Sequence, residues 1–319
     1  MSTLLIIGGT GFFGKSILDA YSRGLLSAWR IDKVISASRS ASKLINTNPG
    51  LVNDNVELLD IDITSTDTLP FADYVIHAAA STDASRYISQ SDIEKKNIIS
   101  GTLNYCRLAT KFHKDSKIVF CSSGAVYGYQ PEHVKYLTED MDFGNIDMLS
   151  EVKKSYAYAK RDSECALQEL GQAGLNVSIA RCFAFVGKYL PKDQHFAIGN
   201  FIADGLAGRD INVKADRKVY RSYMYADDLI KWLMTLAENA NSKCPIYNVA
   251  SDQEVEIREL ANIVANIFNV RIKSLKNRTK HVDRYIPSVE KANNELGLRN
   301  DYVLKESILM SIKDEVVDS

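Results

Sequence analysis

Leu4-Leu5-Ile6-Ile7-Gly8-Gly9-Thr10-Gly11-Phe12-Phe13-Gly14 is the stretch that decides the fold. Four apolar residues in a row suit a strand buried on both faces, and glycines at 8, 11 and 14 follow at a spacing of three. Glycine allows a tight turn and close approach of backbone to a bound group. The helix that opens behind the turn then offers its first N–H groups to an anion. Strand, G-x-x-G-x-x-G and helix, in that order, predict a turn that holds a nucleotide pyrophosphate. Its contacts are Gly8, Thr10, Gly11, Phe12, Phe13 and Gly14.

Outward from this turn, apolar runs of strand length alternate with helical patterns. Strands are expected at 4–8, 33–38, 56–60, 74–78, 117–122 and 176–182, with helices at 11–22, 92–112 and 154–173. Unbroken apolar strands alternating with helices imply an α/β fold, a Rossmann doubly wound parallel sheet covered on both faces. After Arg181 the pattern changes. A loop at 187–193 precedes a helix near 198–207, a strand near 211–214, a helix at 227–237, a strand at 245–250 and an amphipathic helix at 256–268. The expected division is a nucleotide-binding domain at 1–182, with a returning strand near 245–250, and a smaller C-terminal α/β substrate-binding lobe over 183–319. In open sheets of this kind the site lies at the carboxyl ends of the strands.

The bulk properties exclude several classes. The 319 residues are 45% hydrophobic and 25% charged, with a net charge of −1. That balance gives no reason to expect nucleic acid or an anionic membrane as partner. No apolar run approaches the roughly 18 residues of a spanning helix, and the start lacks a basic leader. The five cysteines, Cys106, Cys121, Cys165, Cys182 and Cys244, show no metal-ligand spacing. No metal is expected, and scattered thiols in apolar segments read as reduced, hence cytoplasmic.

Two further patterns bear on chemistry. At the end of the second strand an acidic residue would bind a ribose 2′-hydroxyl, whereas a basic one accommodates a 2′-phosphate. Here Ser38 and Arg39 end the strand and Lys43 follows a turn later. This favours NADP over NAD, with NAD left open. The other pattern is Tyr156 and Lys160. Residues four apart share a helix face, and Tyr156 is the one tyrosine of 16 with lysine at i+4. Alone, that spacing is within reach of chance.

Taken together, these pieces resemble the extended short-chain dehydrogenase/reductase family of nucleotide-sugar epimerases, dehydratases and ketoreductases. The matching segments are the glycine turn, Asp62-Ile63, His77-Ala78-Ala79-Ala80, Asn97 to Asn104, Ser122-Ser123-Gly124-Ala125-Val126-Tyr127-Gly128, Tyr156/Lys160, Arg181, Arg221-Ser222-Tyr223 and Asp227-Asp228-Leu229. The resemblance implies that Asp62 and Ile63 bracket the adenine and that Ala78, Ala79, Ala80 and Asn97 line the cofactor. It makes Tyr156 the acid/base and Lys160 a ligand of the nicotinamide ribose that also lowers the tyrosine pKa. Ser123 would bond the reacting oxygen. It implies a nucleotide-diphosphate sugar as substrate, with Ser123, Phe183, His195, Asn200, Arg221 and Arg284 as contacts. A homodimer through a four-helix interface, made by 92–112 and 154–173 of each subunit, is expected on the same ground.

Departures from the family pattern choose among its reactions. Dehydratases carry an Asp-Glu pair after the serine or threonine; this chain has Gly124-Ala125, which cannot move a proton. A 4-epimerase retains its cofactor, usually NAD, with an acid at the second strand, where this chain has Arg39. A reductase uses a fresh hydride each turnover and suits exchangeable NADPH. The expectation is therefore NADPH-dependent reduction of a nucleotide-linked keto-sugar, such as a 4-keto-6-deoxyhexose. The alternatives are an NAD-retaining epimerase and, from a different class, a non-catalytic NADP-sensing module. Ala184 stands where the family usually has asparagine, so the sugar does not carry across.

Overall fold

Six strands in chain order build most of the central sheet: β1 (Ser2–Ile7), β2 (Ile31–Ser38), β3 (Val56–Asp60), β4 (Tyr74–His77), β5 (Lys117–Ser123) and β6 (Asn176–Cys182). The computed structural model describes residues 2–80, 84–192, 196–279 and 281–316. A seventh strand, Ile246–Val249, joins the edge beside β6, and the order continues β6, β5, β4, β1, β2, β3. The pairs β1–β2, β2–β3, β1–β4, β4–β5 and β5–β6 are all parallel. This is the doubly wound sheet that the alternating apolar runs predict. Strand order reverses at β1, between β2 on one side and β4 on the other, so the switch point lies where the glycine turn leaves the sheet.

The turn is shaped by crowding. Gly8 has φ +102°, and a Cβ there would lie 2.8 Å from the backbone of Ala78 and Ala79 as the chain leaves β4. At Gly14 a Cβ would lie 2.3 Å from the Gly9 carbonyl oxygen, so the helix Phe12–Ser22 sits directly on the turn.

The chain divides into two compact units. The first comprises Met1–Gly128, Asn145–Cys182 and Ile230–Tyr247; the second comprises Tyr129–Gly144, Phe183–Leu229 and Asn248–Ser319. In the first, one sheet face packs Leu5, Ile7, Val75, Ile118, Phe120 and Ile179 against Tyr105, Leu108, Ala109, Leu167 and Leu170 of the helices Ala84–Phe112 and Glu151–Gln172. The Thr102 and Ser163 hydroxyls meet at 3.0 Å between these helices. The first of them starts earlier than the hydrophobic period indicates and breaks at Gln90 (φ −147°, ψ 43°).

The second unit has a three-stranded sheet with Lys218–Ser222 in the middle. Glu254–Glu256 lies antiparallel on one side and Val282–Tyr285 parallel on the other. The amphipathic helix Ile257–Phe268 opens at Glu256, whose carboxylate accepts from the Arg258 N–H at 2.9 Å, and ends on left-handed Asn269. The helix Ala197–Leu206 lies against it so closely that a Cβ at Gly205 would fall 2.1 Å from the Phe268 ring. Among the described residues no helix is long and apolar enough to cross a membrane, and no cluster of three metal-ligating side chains occurs. All five cysteines are free thiols.

Candidate active site

The glycine turn forms an open cradle at the end of β1. Gly8 and Gly9 N–H both donate to the Ala37 carbonyl, at 2.8 and 3.1 Å, and Gly11 N–H donates to Gly8 at 3.1 Å. Gly11 is the N-cap of the helix Phe12–Ser22, has no side-chain cap, and no acid sits in the first turn. A Cβ at Gly11 would meet only the Gly8 carbonyl oxygen, at 3.4 Å, so the space above it is clear. Uncapped first-turn N–H groups facing clear space suit a pyrophosphate, and the cradle fits the dinucleotide that the turn predicts. Thr10, Phe12 and Phe13 are half-buried around it, the two rings edge to face at 5.7 Å.

Arg39 extends beyond the end of β2. It is exposed, and among the described residues it makes no hydrogen bond or ion pair. The loop that carries it is fixed. Asp60, at the end of β3, accepts from both the N–H and the hydroxyl of Ser42, at 2.9 and 2.6 Å. The Ser42 bonds, helped by nearby Lys43, hold the Asp60 carboxyl below the usual carboxylate range. Ser38 accepts from the Ser40 N–H at 3.4 Å. The cluster is thus an ordered, solvent-facing cationic corner.

On the other flank, Asp62 uses one carboxylate oxygen to cap its own turn, accepting from Thr64 N–H and hydroxyl at 2.9 and 2.8 Å. Asn104 ties that turn to the long helix through the Ile63 and Thr66 carbonyls. Ala78 N–H donates to the Ile7 carbonyl at 2.8 Å, which sets Ala78 beside the cradle. Ala80 packs with Ile98 and Tyr156, and Asn97 lies half-buried on the same helix as Ile98.

Ser123, Tyr156 and Lys160 come together at the end of β5. The Ser123 hydroxyl is hydrogen-bonded to the Tyr156 phenol and also accepts from the Ala125 N–H at 3.2 Å. Lys160 is 2% exposed; its ammonium donates to the Cys121 carbonyl at 2.8 Å and lies 5.8 Å from the Tyr156 ring centre. Burial pushes Lys160 down to about 8, against the opposing pull of Cys121, Cys182 and Glu164. The resemblance implies a phenol acidified by the lysine. Instead, burial raises Tyr156 above its ordinary range, with the Ser123 bond acting in the opposite direction. Desolvation of a phenolate outweighs its neighbours here, so Tyr156 is protonated at neutral pH.

One supporting group escaped the sequence reading. Glu164 lies one turn beyond Lys160 and forms a buried fork with Arg181, closest at 2.8 Å. Ser122 donates to the same carboxylate, and Arg181 also donates to the Tyr127 hydroxyl at 3.0 Å. The network braces the strand end before Ser123 and the turn after it. Its signal was present in the stripe Tyr156, Lys160, Glu164, which repeats every four residues along one helix face.

The second unit holds the remaining candidates. Phe183 packs on Tyr285 with ring centres 4.6 Å apart, and the Arg221 guanidinium lies 5.9 Å from the same ring. Arg221 is bonded to Asp283 at 3.0 Å. Arg284 pairs with Glu254 and covers the Tyr220 ring at 4.3 Å. In the parallel register Tyr285 is opposite Arg221 and Arg284 is opposite Tyr220. Side chains alternate along a strand, so Arg221 and Arg284 leave this sheet on opposite faces. Asn200 is half-buried in the first turn of the helix Ala197–Leu206. His195 lies outside the described residues.

With fold and site laid out, the chain belongs to the NAD dependent epimerase/dehydratase family, whose model matches residues 4–250. It is 26% identical over 317 residues to UDP-glucuronic acid decarboxylase 3 of Arabidopsis thaliana, covering 98% of this chain and 88% of that one. It is 24% identical over 313 residues to UDP-glucuronic acid decarboxylase 1 of Danio rerio, covering 97% and 72%. Among solved structures, UDP-N-acetylglucosamine 4-epimerase from Methanobrevibacter ruminantium M1 superposes with a TM-score of 0.83 at 22% identity, covering 100% of this chain and 99% of that one. The dTDP-glucose 4,6-dehydratase DesIV from Streptomyces venezuelae gives 0.80 at 22%, covering 98% and 96%. These structural likenesses establish the shared fold.

Proposed function

We propose that this chain reduces a nucleotide-linked keto-sugar, an NDP-4-keto-6-deoxyhexose or a close relative, using NADPH. The observation that carries this reading is Arg39: an unpartnered cation just past the end of β2, on a loop pinned by Asp60, at the strand end where a basic residue suits a 2′-phosphate. When bound, NADPH supplies the hydride. The protonated Tyr156 phenol gives its proton to the carbonyl oxygen as that oxygen gains charge. Ser123 orients the oxygen, and the Lys160 ammonium stabilises the phenolate left behind. Glycine and alanine at 124 and 125 argue against dehydration. In the substrate lobe Arg221 is assigned to the diphosphate. Tyr285 and Phe183 share its face and flank the nucleotide, whereas Arg284 belongs to the other face.

The same reading places the protein in the cytoplasm, in line with five free thiols. It also makes the protein a homodimer through the helices Ala84–Phe112 and Glu151–Gln172, which leave Ile93, Leu103 and Tyr158 exposed.

A second reading has support from the sequence relatives, which are UDP-glucuronic acid decarboxylases. It is an NAD-retaining enzyme, a decarboxylase or a 4-epimerase, that oxidises and re-reduces its sugar within one cycle. The test is a panel of nucleotide 4-keto-6-deoxy sugars followed by NADPH and NADH absorbance, beside UDP-glucuronate and UDP-hexoses without added cofactor. Keto-sugar-dependent loss of NADPH is expected. Turnover of the second set by protein purified with NAD bound would replace the reductase reading with the retaining one.

A further inference from the structure

The sheet face that carries Arg221 in the second unit holds more than a cation. Tyr285 is opposite Arg221 in the parallel register, so Asp283, two residues earlier, shares the same face. Arg221 uses one nitrogen on the protein: Nη1 donates to the Tyr220 carbonyl at 2.8 Å, and to the Asp283 carbonyl and carboxylate at 3.4 and 3.0 Å. Among the described residues Nε and Nη2 make no hydrogen bond, which leaves an edge of the guanidinium open to a phosphate.

A second carboxylate stands beside Asp283. Glu132 accepts through Oε1 from His281 Nδ1 at 2.7 Å and from the Val282 N–H at 3.0 Å. His281 is itself held, its ring stacked on Tyr129 with centres 6.0 Å and planes 17° apart, and the Tyr129 hydroxyl 3.4 Å from Nε2. With Nδ1 as donor, Nε2 accepts from that hydroxyl, which fixes the tautomer and with it the carboxylate. The Val282 and His281 bonds hold the Glu132 carboxyl below the usual carboxylate range, so it is ionised at neutral pH. Among the described residues Oε2 of Glu132 and Oδ2 of Asp283 accept no hydrogen bond, and the two side chains are 52% and 38% exposed. Glu132 is anchored at residues 281 and 282 and Asp283 comes next, so the anchor points lie within two strand steps, about 3–7 Å.

For a ligand that offered only phosphates this would be a poor arrangement, because two anions beside the guanidinium weaken its pull on a diphosphate. It suits a ligand that carries hydroxyl donors next to its phosphate, since an ionised carboxylate only accepts. In a nucleoside diphosphate those donors are the 2′- and 3′-hydroxyls of the ribose.

We propose that Asp283 and Glu132 accept the two ribose hydroxyls of the substrate, one each, and that the substrate is therefore a ribonucleoside diphosphate sugar, not a 2′-deoxy one such as a thymidine diphosphate sugar. The proposal rests on the assignment of Arg221 to the diphosphate. A 2′-deoxy nucleotide leaves one of the two carboxylates without its donor. A hydrogen bond to a charged group is lost with it, so binding weakens about tenfold or more.

The test is calorimetric binding of uridine, cytidine and guanosine diphosphates, each beside its 2′-deoxy counterpart, to the full chain with the cofactor site filled by NADP. For the base that binds tightest, the ribose form is expected to bind about tenfold or more tighter than the deoxy form. In the double variant Glu132→Ala/Asp283→Ala that ratio should fall close to one, while inorganic pyrophosphate binds as well as before or better. Equal affinity for the two forms in the wild type overturns the proposal and leaves Arg221 on the diphosphate; a ribose preference that survives the double variant overturns it as well. If none of the diphosphates binds, the assignment of Arg221 falls and takes the proposal with it. No hydride transfer enters these measurements, so the keto-sugar panel judges the reductase reading separately. Should the double variant fail to fold, the wild-type ratio alone decides.

Discussion

Lys160 is charged at a site that penalises charge. Its folded pKa, about 8, lies below the 10.5 of a free lysine. Below pH 8 both folded and unfolded states hold the proton, and the folded state carries the full penalty; the penalty fades as pH rises and is gone near 10.5. Lys160→Met should therefore melt higher than the wild type at pH 7, by roughly 2 kcal/mol after loss of the Cys121 bond. That gap should close toward pH 10 in thermal scans. Activity is expected to run the other way, declining as pH rises through about 8 and the ammonium is lost. Arg39 offers the opposite case, a residue with no structural task. Arg39→Asp should leave the melting temperature unchanged and raise the KM for NADPH about tenfold or more, with little change in kcat; equal KM values would remove its role at the phosphate. Both residues were legible as candidates because charge type and spacing are written in the chain. Whether Tyr156 is acidified or not was illegible, since desolvation depends on what packs around it. Glu164 was only partly legible: the four-residue stripe from Tyr156 through Lys160 puts it on the same helix face, but its pairing with Arg181 joins positions on separate elements that sequence alone does not bring together.

At the scale of elements, the glycine turn separates two demands that one motif conflates. Gly14 is required by packing and Gly11 by clearance. Gly14→Ala would force its Cβ against the Gly9 carbonyl, so the helix Phe12–Ser22 must shift, at a cost of about 1–3 kcal/mol. Gly11→Ala fits the fold at 3.4 Å but fills the space over the cradle. The expected outcome is a lowered melting temperature for Gly14→Ala, and for Gly11→Ala a native melting temperature with weakened cofactor binding by titration. If both variants melt alike, clearance and packing are not separable. Strands β2 to β6 read well from the sequence because each carries a short apolar run, such as Val34-Ile35 in β2 and Ile118-Val119-Phe120 in β5, between helical patterns. The short strands of the second unit, Lys218–Ser222, Glu254–Glu256 and Val282–Tyr285, did not. They are polar, three to five residues long, and held by one another more than by a core.

For the whole molecule, the outer face of the helices Ala84–Phe112 and Glu151–Gln172 gives the proposed dimer its test. Ile93 and Leu103 are 53% and 54% exposed, and Lys95 covers the Tyr158 ring at 5.0 Å. Leu103→Glu should convert a dimer to a monomer in light scattering, with far-UV circular dichroism unchanged; a wild-type monomer would remove the interface. The sheet and its switch point could be inferred from the first 182 residues. The placement of 129–144 in the second unit could not, because that segment is tied there by contacts distant in sequence, such as Leu137 with Ile286 and Ser288. The short strand Val282–Tyr285 carries a wider consequence. Position in an extended segment has a parity, and parity decides which side of a sheet a residue serves. Two relatives can both show an arginine at this strand and yet use it for unrelated purposes, if a single inserted residue separates it from the next fixed point. Matching arginine to arginine would then pair a ligand contact with a surface ion pair. Counted back from Pro287, odd or even separates Arg284 from Tyr285, and in this chain it is the tyrosine that shares a face with Arg221.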